Sequence, residues 1–242
     1  MSEARRAVVL VHGAGGGGWE WDAWSRVFAA GAWRVFAPDL QPAAAGLAAT
    51  RLADYRAQVA DWLARARREA DRVALVGASL GGLLVLLEGA DADARVLVNP
   101  MPPAGLAAEP SPVVVPWRQR ASLAGTRRAI PEADAAAALF AFRRWRDESG
   151  AVMDAARAGV ALPASDAPTL VMASRDDADV PFQASAALAA SLGAGVVPLP
   201  GSHVAPLLGR DAPAVATQAA AWLAAAVGGS SVPMRFGERH RD

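Results

Sequence analysis

The segment from Arg72 to Gly82, with the sequence RVALVGASLGG, constrains the fold more than any other stretch of the chain. An apolar, β-branched run leads into Gly77 and Gly81, which flank Ser79, and a helical apolar run follows. Strand, glycine-flanked serine and helix are the context of a nucleophile elbow, whose turn leaves no room for a Cβ at the two glycines. The serine would project over a helix N-terminus that favours developing negative charge. The other interpretation is an ordinary glycine-rich turn with a helix-capping serine, and this pattern alone does not decide between them.

Short, continuously apolar runs alternate with helical patterns along the chain, as expected for strands that are buried on both faces of a parallel sheet. The predicted strands are 7–12, 33–38, 72–78, 94–99, 169–173 and 195–199. The predicted helices are 21–30, 52–70, 80–89, 181–192 and 212–227. This alternation predicts an α/β fold with a mostly parallel, doubly wound sheet of about six strands flanked by helices. Ligands of such sheets bind beyond the carboxyl ends of the strands, so we expect catalytic residues directly after strands.

One connection is too long for a simple loop. No strand is predicted over 101–166, the first part is proline-rich, and a helix is predicted over 131–147. A connection of this length predicts a cap or lid over Ser79. The domain prediction is therefore an α/β core of residues 1–100 and 167–227, a cap of residues 101–166, and a polar, flexible tail of residues 228–242.

The predicted cap carries side chains that could contact a ligand. Its aromatic candidates for pocket walls are Trp117, Phe140, Phe142 and Trp145. These rings could equally attach the cap to the core. Eight arginines lie between Arg118 and Arg157. Such arginines usually form a solvated helix face, but if one points inward the substrate could carry a carboxylate.

A serine hydroxyl is a weak nucleophile near neutral pH, so it needs a base. His203 follows the last predicted strand, in the loop Leu199-Pro200-Gly201-Ser202-His203, and therefore lies at the same sheet edge as Ser79. His12 closes the first strand, and His240 lies in the predicted tail. If Ser79 is catalytic, His203 is its predicted base. The alternative is a solvent-exposed loop histidine.

A catalytic histidine needs a carboxylate to fix its tautomer and stabilise the imidazolium. Asp176, Asp177 and Asp179 follow the predicted strand 169–173. Asp179 is best placed to cap a helix that begins at Pro181. Asp176 or Asp177 therefore remains as the orienting acid, and the chain order becomes serine, aspartate, histidine.

The first strand leads into a glycine-rich loop, HGAGGGG, from His12 to Gly18. Its backbone could approach a ligand closely and supply one N–H group of an oxyanion hole, with the N–H of Leu80 as the second. A nucleotide-binding loop is the alternative, because GAGGGG fits the G-x-G-x-x-G pattern. That alternative is weaker, since the chain has no Walker lysine and only Asp39 could serve as a ribose-binding acid.

The composition excludes several other classes of protein. The chain has no cysteine and no lysine, which excludes disulfides, thiolate catalysis, cysteine metal sites and a catalytic amine. The formal net charge is zero, so we expect a small-molecule substrate and no nucleic-acid partner, and we predict no cofactor or metal. The first apolar run is too short for a signal sequence and no apolar segment could span a membrane, so the expected location is the cytoplasm. The oligomeric state is not predicted.

These motifs resemble those of the α/β-hydrolase superfamily over residues 7–227. The resemblance rests on VLVHGAG (oxyanion strand and loop), LVGASLGG (elbow), the D-x-x-V-P segment of residues 177–181, and PGSH (histidine loop). It implies that the acid is Asp177 rather than Asp176 and that the first oxyanion donor is Ala14. After Asp39 the family usually shows a Gly-His-Gly loop, whereas this chain has Gln41-Pro42-Ala43. The lack of a leading β-hairpin resembles the compact esterase and hydroxynitrile-lyase branch.

The resemblance implies a serine hydrolase that cleaves a small carboxylic ester or thioester through an acyl-enzyme. Ser79 would be the nucleophile, His203 the base, Asp177 the orienting acid, and Ala14 and Leu80 the oxyanion donors. One alternative is the same triad used for C–C bond hydrolysis or lyase chemistry, although similar hydroxynitrile lyases use a lysine that this chain lacks. The other is a non-catalytic homologue that binds a small ligand.

Overall fold

A six-stranded, wholly parallel sheet forms the centre of the computed structural model, which describes residues 4–228. The strands are Arg6–Val11 (β1), Trp33–Phe36 (β2), Arg72–Ala78 (β3), Ala94–Val98 (β4), Val114–Val115 (β5), Glu148–Ser149 (β6), Thr169–Ser174 (β7) and Gly195–Leu199 (β8). The strand order is β2-β1-β3-β4-β7-β8, and β5 pairs with β6 in a separate antiparallel ribbon. The predicted doubly wound α/β fold of about six strands is therefore confirmed.

Helices cover both faces of this sheet. They are Asp22–Ala30 (α1), Leu52–Glu69 (α2), Leu80–Glu88 (α3), Trp117–Arg120 (α4), Leu123–Ala129 (α5), Ala135–Phe142 (α6), Gly150–Arg157 (α7), Phe182–Ser191 (α8), Ala205–Leu208 (α9) and Ala212–Val227 (α10). Short 3₁₀ turns occupy Gly18–Trp21 and Leu47–Ala49. Side chains of α1 and α10 form one hydrophobic cluster, and those of α2, α3, α7 and α8 form the other. No helix within residues 4–228 is both long enough and apolar enough to cross a membrane.

Strand β1 shows why the strand sequences are continuously apolar. Val8 and Leu10 pack into the cluster with α1 and α10, whereas Val9 and Val11 pack into the cluster on the opposite face. All four side chains are fully buried. Since neighbouring residues of a strand point to opposite faces, a strand covered on both sides must be apolar at every position. Burying each such side chain contributes about 1.5–3 kcal/mol.

The order of the strands places a crevice at one point of the sheet. From β1 the chain passes to β2 on one side, and then crosses to β3 on the other side of β1. Val11, the last residue of β1, lies beside Gly77 of β3. The loops that leave β1 and β3 therefore diverge from adjacent strand ends. In open α/β sheets, ligands bind at such a switch point.

The segment 101–166 differs from its prediction. The predicted helix over 131–147 is wrong in extent, because α6 covers only Ala135–Phe142. The Asp134 side chain accepts a hydrogen bond from the N–H of Ala137 and so starts the helix there. After α6 the backbone N–H of Arg146 bonds to Gly15 in the core instead of continuing the helix. The strands β5 and β6 and the helices α4, α5 and α7 were not predicted.

The division into core, cap and tail stays a prediction. Segment 101–166 leaves the sheet after β4 and returns to it at β7. Its helix α7 contributes Val152, Met153 and Ala156 to the hydrophobic cluster that also contains α2 and α3. This part of the predicted cap is thus packed into the core. Residues 229–242 of the predicted tail lie outside the described residues.

Candidate active site

Ser79 lies on the turn between β3 and α3, and its conformation is unusual. Its φ of 52° and ψ of −120° lie in a region that residues with a side chain rarely adopt. A Cβ at Gly77 would lie 2.3 Å from the carbonyl oxygen of Gly81, and a Cβ at Gly81 would lie 2.1 Å from that of Val11. Only glycine fits at these two positions, because backbone atoms of another residue lie where a Cβ would be. The tight turn leaves the Ser79 side chain partly accessible at the carboxyl edge of the sheet.

His203 and Asp177 are joined by a hydrogen bond of 2.7 Å between Nδ1 and Oδ2. The other carboxylate oxygen of Asp177 accepts hydrogen bonds of 2.8 Å from the N–H groups of Asp179 and Val180. Because an ionised carboxylate only accepts, the proton of the neutral imidazole lies on Nδ1. The Nε2 atom of His203 is then left as an acceptor.

The other two acids of this loop have different positions. Asp176 is exposed and accepts a hydrogen bond of 3.3 Å from the N–H of Gly201. The expectation that Asp179 caps the following helix is wrong, because α8 begins after Pro181 without a side-chain cap. The turn before the helix is held by Asp177, which accepts the N–H groups of Asp179 and Val180. Asp179 is exposed and lines the cavity beside His203.

The surroundings of His203 favour its protonated form. Burial acts to lower the pKa of His203, but the hydrogen bond and charge of Asp177, together with the charges of Asp179 and Glu20, raise it above the ordinary value of 6.5. Burial raises the pKa of Glu20 to about 8, so this carboxyl is largely uncharged at neutral pH. Asp177 and Asp179 therefore supply most of the stabilisation of the imidazolium.

Asn99 was not predicted as a site residue, and it connects three loops of the site. Its Nδ2 atom donates hydrogen bonds to the backbone oxygen of His203 at 2.6 Å and to Oγ of Ser174 at 3.0 Å. Its Oδ1 atom accepts a hydrogen bond of 2.7 Å from the N–H of Ser174. Asn99 is buried and has a φ of 44°. The available sequence signal was an asparagine directly after an apolar strand, at the sheet edge where polar side chains converge.

Ser79 and His203 line the same cavity, which has a volume of about 530 Å³. Within residues 4–228, no hydrogen bond joins the two side chains. Hydrogen bonds between catalytic groups are often long in the absence of a ligand and tighten in the substrate complex. The cavity walls include the predicted Trp117 and Trp145. The expectation for Phe140 is corrected, because this ring packs edge-on against Trp19 and lines a different hollow.

The loop after β1 lies directly against Ser79. A Cβ at Gly13 would be 3.2 Å from the Cβ of Ser79, so the loop is as close as packing allows. The predicted oxyanion donors are the N–H groups of Ala14 and Leu80, and neither is engaged by another protein group among residues 4–228. Two backbone N–H groups free to bind the same oxygen are what an oxyanion hole requires.

Segment 101–166 fixes this loop from the outside. The N–H of Arg146 donates to the backbone oxygen of Gly15 at 2.8 Å, and the N–H of Gly15 donates to Oε2 of Glu148 at 3.2 Å. The other carboxylate oxygen of the buried Glu148 accepts hydrogen bonds from Tyr55 and from the N–H of Ser149. The N–H and the carbonyl oxygen of Gly15 are thus both hydrogen-bonded to this segment. No sequence pattern pointed to Glu148, since its partners Gly15 and Tyr55 lie 133 and 93 residues away.

His12 has a structural role. It is buried, its Nδ1 atom bonds to the backbone oxygen of Gly13, and its Nε2 atom accepts from the N–H of Leu40. Burial lowers the pKa of His12 to about 4, so the ring is neutral at physiological pH. The neutral ring connects the start of the glycine-rich loop to the loop that follows β2.

Glu20 is a buried acid next to the same loop. Its Oε2 atom has no hydrogen-bond partner, and a Cβ at Gly16 would contact it. Burial raises the pKa of Glu20 to about 8, whereas its ordinary value is 4.5. The folded protein therefore keeps a proton that the unfolded chain releases between these pH values. Stability should fall as the pH rises from about 4.5 to about 8.

Replacing Glu20 with glutamine is expected to remove this penalty. We compare the free energy of unfolding of Glu20→Gln with that of the parent protein. The difference in favour of the variant should be larger at pH 8 than at pH 5, by on the order of 3 kcal/mol. Urea unfolding of both proteins at the two pH values measures this change. Glu109→Gln, at an exposed position, is the control and should show no such increase. A gain for Glu20→Gln that does not depend on pH would contradict the assignment.

One cluster has the residue types of a metal site. Ligand atoms of Asp177, Asp179 and His203 lie within 4.8 Å of one another. Within this cluster, however, Nδ1 of His203 is hydrogen-bonded to Asp177, and Asp177 also accepts two backbone N–H groups. These contacts are those of an acid that orients a histidine, and we interpret the cluster in that way.

Comparisons with known proteins show the family of this chain. The family model described as "Alpha/beta hydrolase family" matches residues 8–219, which include every residue of the candidate site. We find no match among curated protein sequences.

Solved structures share the fold at low sequence identity. A metagenome-derived lipolytic enzyme is 20% identical, with a TM-score of 0.69 over 91% of this chain and 94% of the other. A pyrethroid hydrolase from Sphingobium faniae is 20% identical, with a TM-score of 0.66 over 92% and 97%. A methylesterase from Arabidopsis is 16% identical, with a TM-score of 0.66 over 93% and 99%. At these identities the likeness shows the fold alone.

Proposed function

The chain belongs to the alpha/beta hydrolase family, and on this premise we propose that it is a serine hydrolase that cleaves a small carboxylic ester or thioester. The observation that carries the proposal is the hydrogen bond of 2.7 Å between His203 and Asp177, on a cavity that Ser79 also lines. Solved structures with this fold include a lipolytic enzyme, pyrethroid hydrolases and a methylesterase, all named for hydrolytic activities.

In the proposed reaction, Nε2 of His203 takes the hydroxyl proton of Ser79 while Oγ attacks the carbonyl carbon of the ester. Asp177 holds the imidazole in the reactive tautomer and stabilises the imidazolium. The tetrahedral intermediate collapses, the bond to the leaving oxygen or sulfur breaks, and His203 returns the proton to the leaving alcohol or thiol. Water then attacks the acyl-enzyme with the same proton transfers, which releases the acid and regenerates Ser79.

The N–H groups of Ala14 and Leu80 would stabilise the oxyanion of both tetrahedral intermediates. Each such donor typically contributes about 2.7–4 kcal/mol to lowering the barrier. In this chain Gly15 is held by Glu148 and by the N–H of Arg146, so the loop is fixed before the substrate binds. A donor that is already in place does not have to reorganise during the reaction.

A fluorophosphonate probe tests the proposal directly, because it phosphonylates an activated serine. We expect one covalent label per native chain by intact-mass spectrometry, no label on Ser79→Ala, and unchanged labelling of Ser191→Ala. Ser191 lies on α8, where its hydroxyl bonds to the backbone oxygen of Leu188. Native protein should also turn over short p-nitrophenyl esters. A native chain that neither labels nor hydrolyses these esters would contradict the proposal and favour a binding protein.

The pH dependence of kcat/KM should follow the raised pKa of His203. The imidazolium cannot accept the serine proton, so activity should fall with decreasing pH around a midpoint above 6.5. Replacing Asp179 with asparagine removes one of the charges that stabilise the imidazolium. The midpoint should therefore move to lower pH, and the variant should keep a larger fraction of its maximal activity under acidic conditions. Asp166→Asn, at an exposed position that does not line the cavity, should leave the profile unchanged. An unchanged midpoint in Asp179→Asn would contradict this account.

A further inference from the structure

The cavity beside Ser79 is lined by more positive than negative charge. Arg120, Arg128 and Arg157 line it, and Asp179 is the acid among its lining residues in the described part of the chain. Arg120 and Arg128 are exposed at its mouth, whereas Arg157 is half-buried. Guanidinium groups match the geometry of carboxylates and other oxyanions.

Four acids of segment 101–166 accept hydrogen bonds from backbone N–H groups and form no ion pair with these arginines. Glu132 accepts from the N–H and hydroxyl of Ser202, and Asp147 accepts from the N–H groups of Arg118 and Gln119. Asp134 and Glu148 hold the N–H groups of Ala137 and Gly15.

Asp154 partly compensates the positive charge of Arg157. It accepts from the N–H of Ser111, and its charge interacts with Arg157. Arg157 itself donates to the hydroxyl of Ser111 at 3.1 Å. Across residues 4–228, no ion pair is formed by Arg120, Arg128 or Arg157. Three guanidinium groups thus border one cavity with little charge compensation.

Apolar side chains form much of the rest of the wall, which also includes the hydroxyl-bearing residues Ser122 and Thr126. The apolar residues are Met101, Leu106, Trp117, Trp145 and Met153. A ligand that fits this lining has an apolar body and an anionic end. The short helices α4 and α5 carry Arg120 and Arg128, so the anionic end would lie at the mouth, where it keeps part of its hydration.

On these observations we infer that the substrate is an ester that carries a free carboxylate, separated from the scissile bond by an apolar spacer. This inference rests on the proposed serine hydrolase. The arginines at 120, 128 and 157 bind the carboxylate, the apolar wall binds the spacer, and the reacting carbonyl lies at Ser79. These arginines then bind substrate, whereas the sequence pattern alone associated them with a solvated helix face.

Matched pairs of esters test this inference, with the carboxylate on either side of the scissile bond. The acyl pair is mono-p-nitrophenyl adipate and its methyl ester; the alcohol pair is para-acetoxybenzoate and its methyl ester. We expect kcat/KM to be about tenfold higher for the charged member of at least one pair. Added salt should reduce this preference, because screening weakens the attraction to partly exposed arginines.

Two double variants separate the cavity arginines from general surface charge. Arg120→Gln with Arg128→Gln should lower kcat/KM for the preferred charged ester about tenfold and leave its neutral partner unchanged. Arg118→Gln with Arg127→Gln alters the same two helices by the same net charge, but at residues that do not line the cavity. This control should retain the preference. Equal losses in both double variants would mean that only the overall charge matters and would overturn the inference.

The outcomes distinguish the inference from the proposed function. Hydrolysis of neutral and charged members at equal rates in both pairs would overturn the inference and leave the serine hydrolase intact. If none of the four esters is hydrolysed, the result counts against the proposed hydrolase. Ligand binding then tests whether the cavity prefers a ligand with a carboxylate. Titration calorimetry of Ser79→Ala with monomethyl adipate and dimethyl adipate should show tighter binding of the charged ester. Equal or weaker binding of the monoester would overturn the inference independently of turnover.

Discussion

Replacing Ser79 with alanine is expected to lower kcat for ester hydrolysis by about 10⁶-fold, because the chain then lacks the atom that forms the acyl-enzyme. The residual rate would come from the oxyanion donors and from substrate binding. Alanine keeps the Cβ and the same backbone requirement, so the fold and its stability should be retained. Steady-state kinetics on a p-nitrophenyl ester and urea unfolding measure the two properties separately.

Ser79→Gly should be as inactive as Ser79→Ala but more stable than that variant. The φ of 52° at Ser79 carries strain that is on the order of 1–3 kcal/mol for a residue with a side chain. Glycine has no Cβ and adopts this conformation freely, although it loses about 0.5–1 kcal/mol of chain entropy on folding. We therefore expect the glycine variant to unfold at higher urea concentration than the alanine variant. Residual activity within tenfold of the native rate in either variant would exclude Ser79 as the nucleophile.

Replacing Asp177 with asparagine is expected to lower kcat by about 10⁴-fold. The amide group can donate a hydrogen bond to Nδ1 of His203, which places the ring proton on Nε2, where it blocks acceptance of the serine proton. The imidazolium would also lose its charged partner. The pH profile of the residual activity should change as well, because Asp177 is a principal cause of the raised pKa of His203.

The neighbouring aspartate provides the matched control. Asp176→Asn makes the same chemical change one residue away, at an exposed side chain that accepts a hydrogen bond from the N–H of Gly201. We expect its kcat to stay within a few-fold of the native value. A large loss in Asp176→Asn with a small loss in Asp177→Asn would reverse the assignment of the orienting acid.

Segment 101–166 contributes residues to the candidate site. Glu148 holds Gly15 on the proposed oxyanion loop, and Glu132 holds Ser202 beside His203. Both loops on which the proposed mechanism depends are therefore fixed by carboxylates from the same segment. Variation in this segment would change the rate of reaction as well as the choice of substrate.

The sequence predicted those parts of the protein that depend on local pattern. The six central strands lie within one or two residues of their predicted bounds, since continuous apolar runs are the direct consequence of burial on both faces. The elbow was readable because only glycine fits at its two flanking positions, where a Cβ would lie 2.1–2.3 Å from a backbone oxygen of the same turn or of the adjacent strand. The α/β-hydrolase resemblance likewise rested on short motifs, and the family model that matches residues 8–219 bears it out.

Contacts between distant segments decided the rest. The pattern of residues 131–147 is helical throughout, but the helix ends at Phe142 because the chain then bonds to the loop at Gly15. Spacing left Asp176 and Asp177 open, the family resemblance favoured Asp177, and the folded loop shows that Asp177 is the one that bonds to His203. Phe140 was a reasonable pocket wall, yet it faces Trp19 instead. Hydrophobic periodicity is a property of residues that are close in sequence, so it can be recognised locally. A hydrogen bond between residues 15 and 148 depends on the path of the whole chain between them.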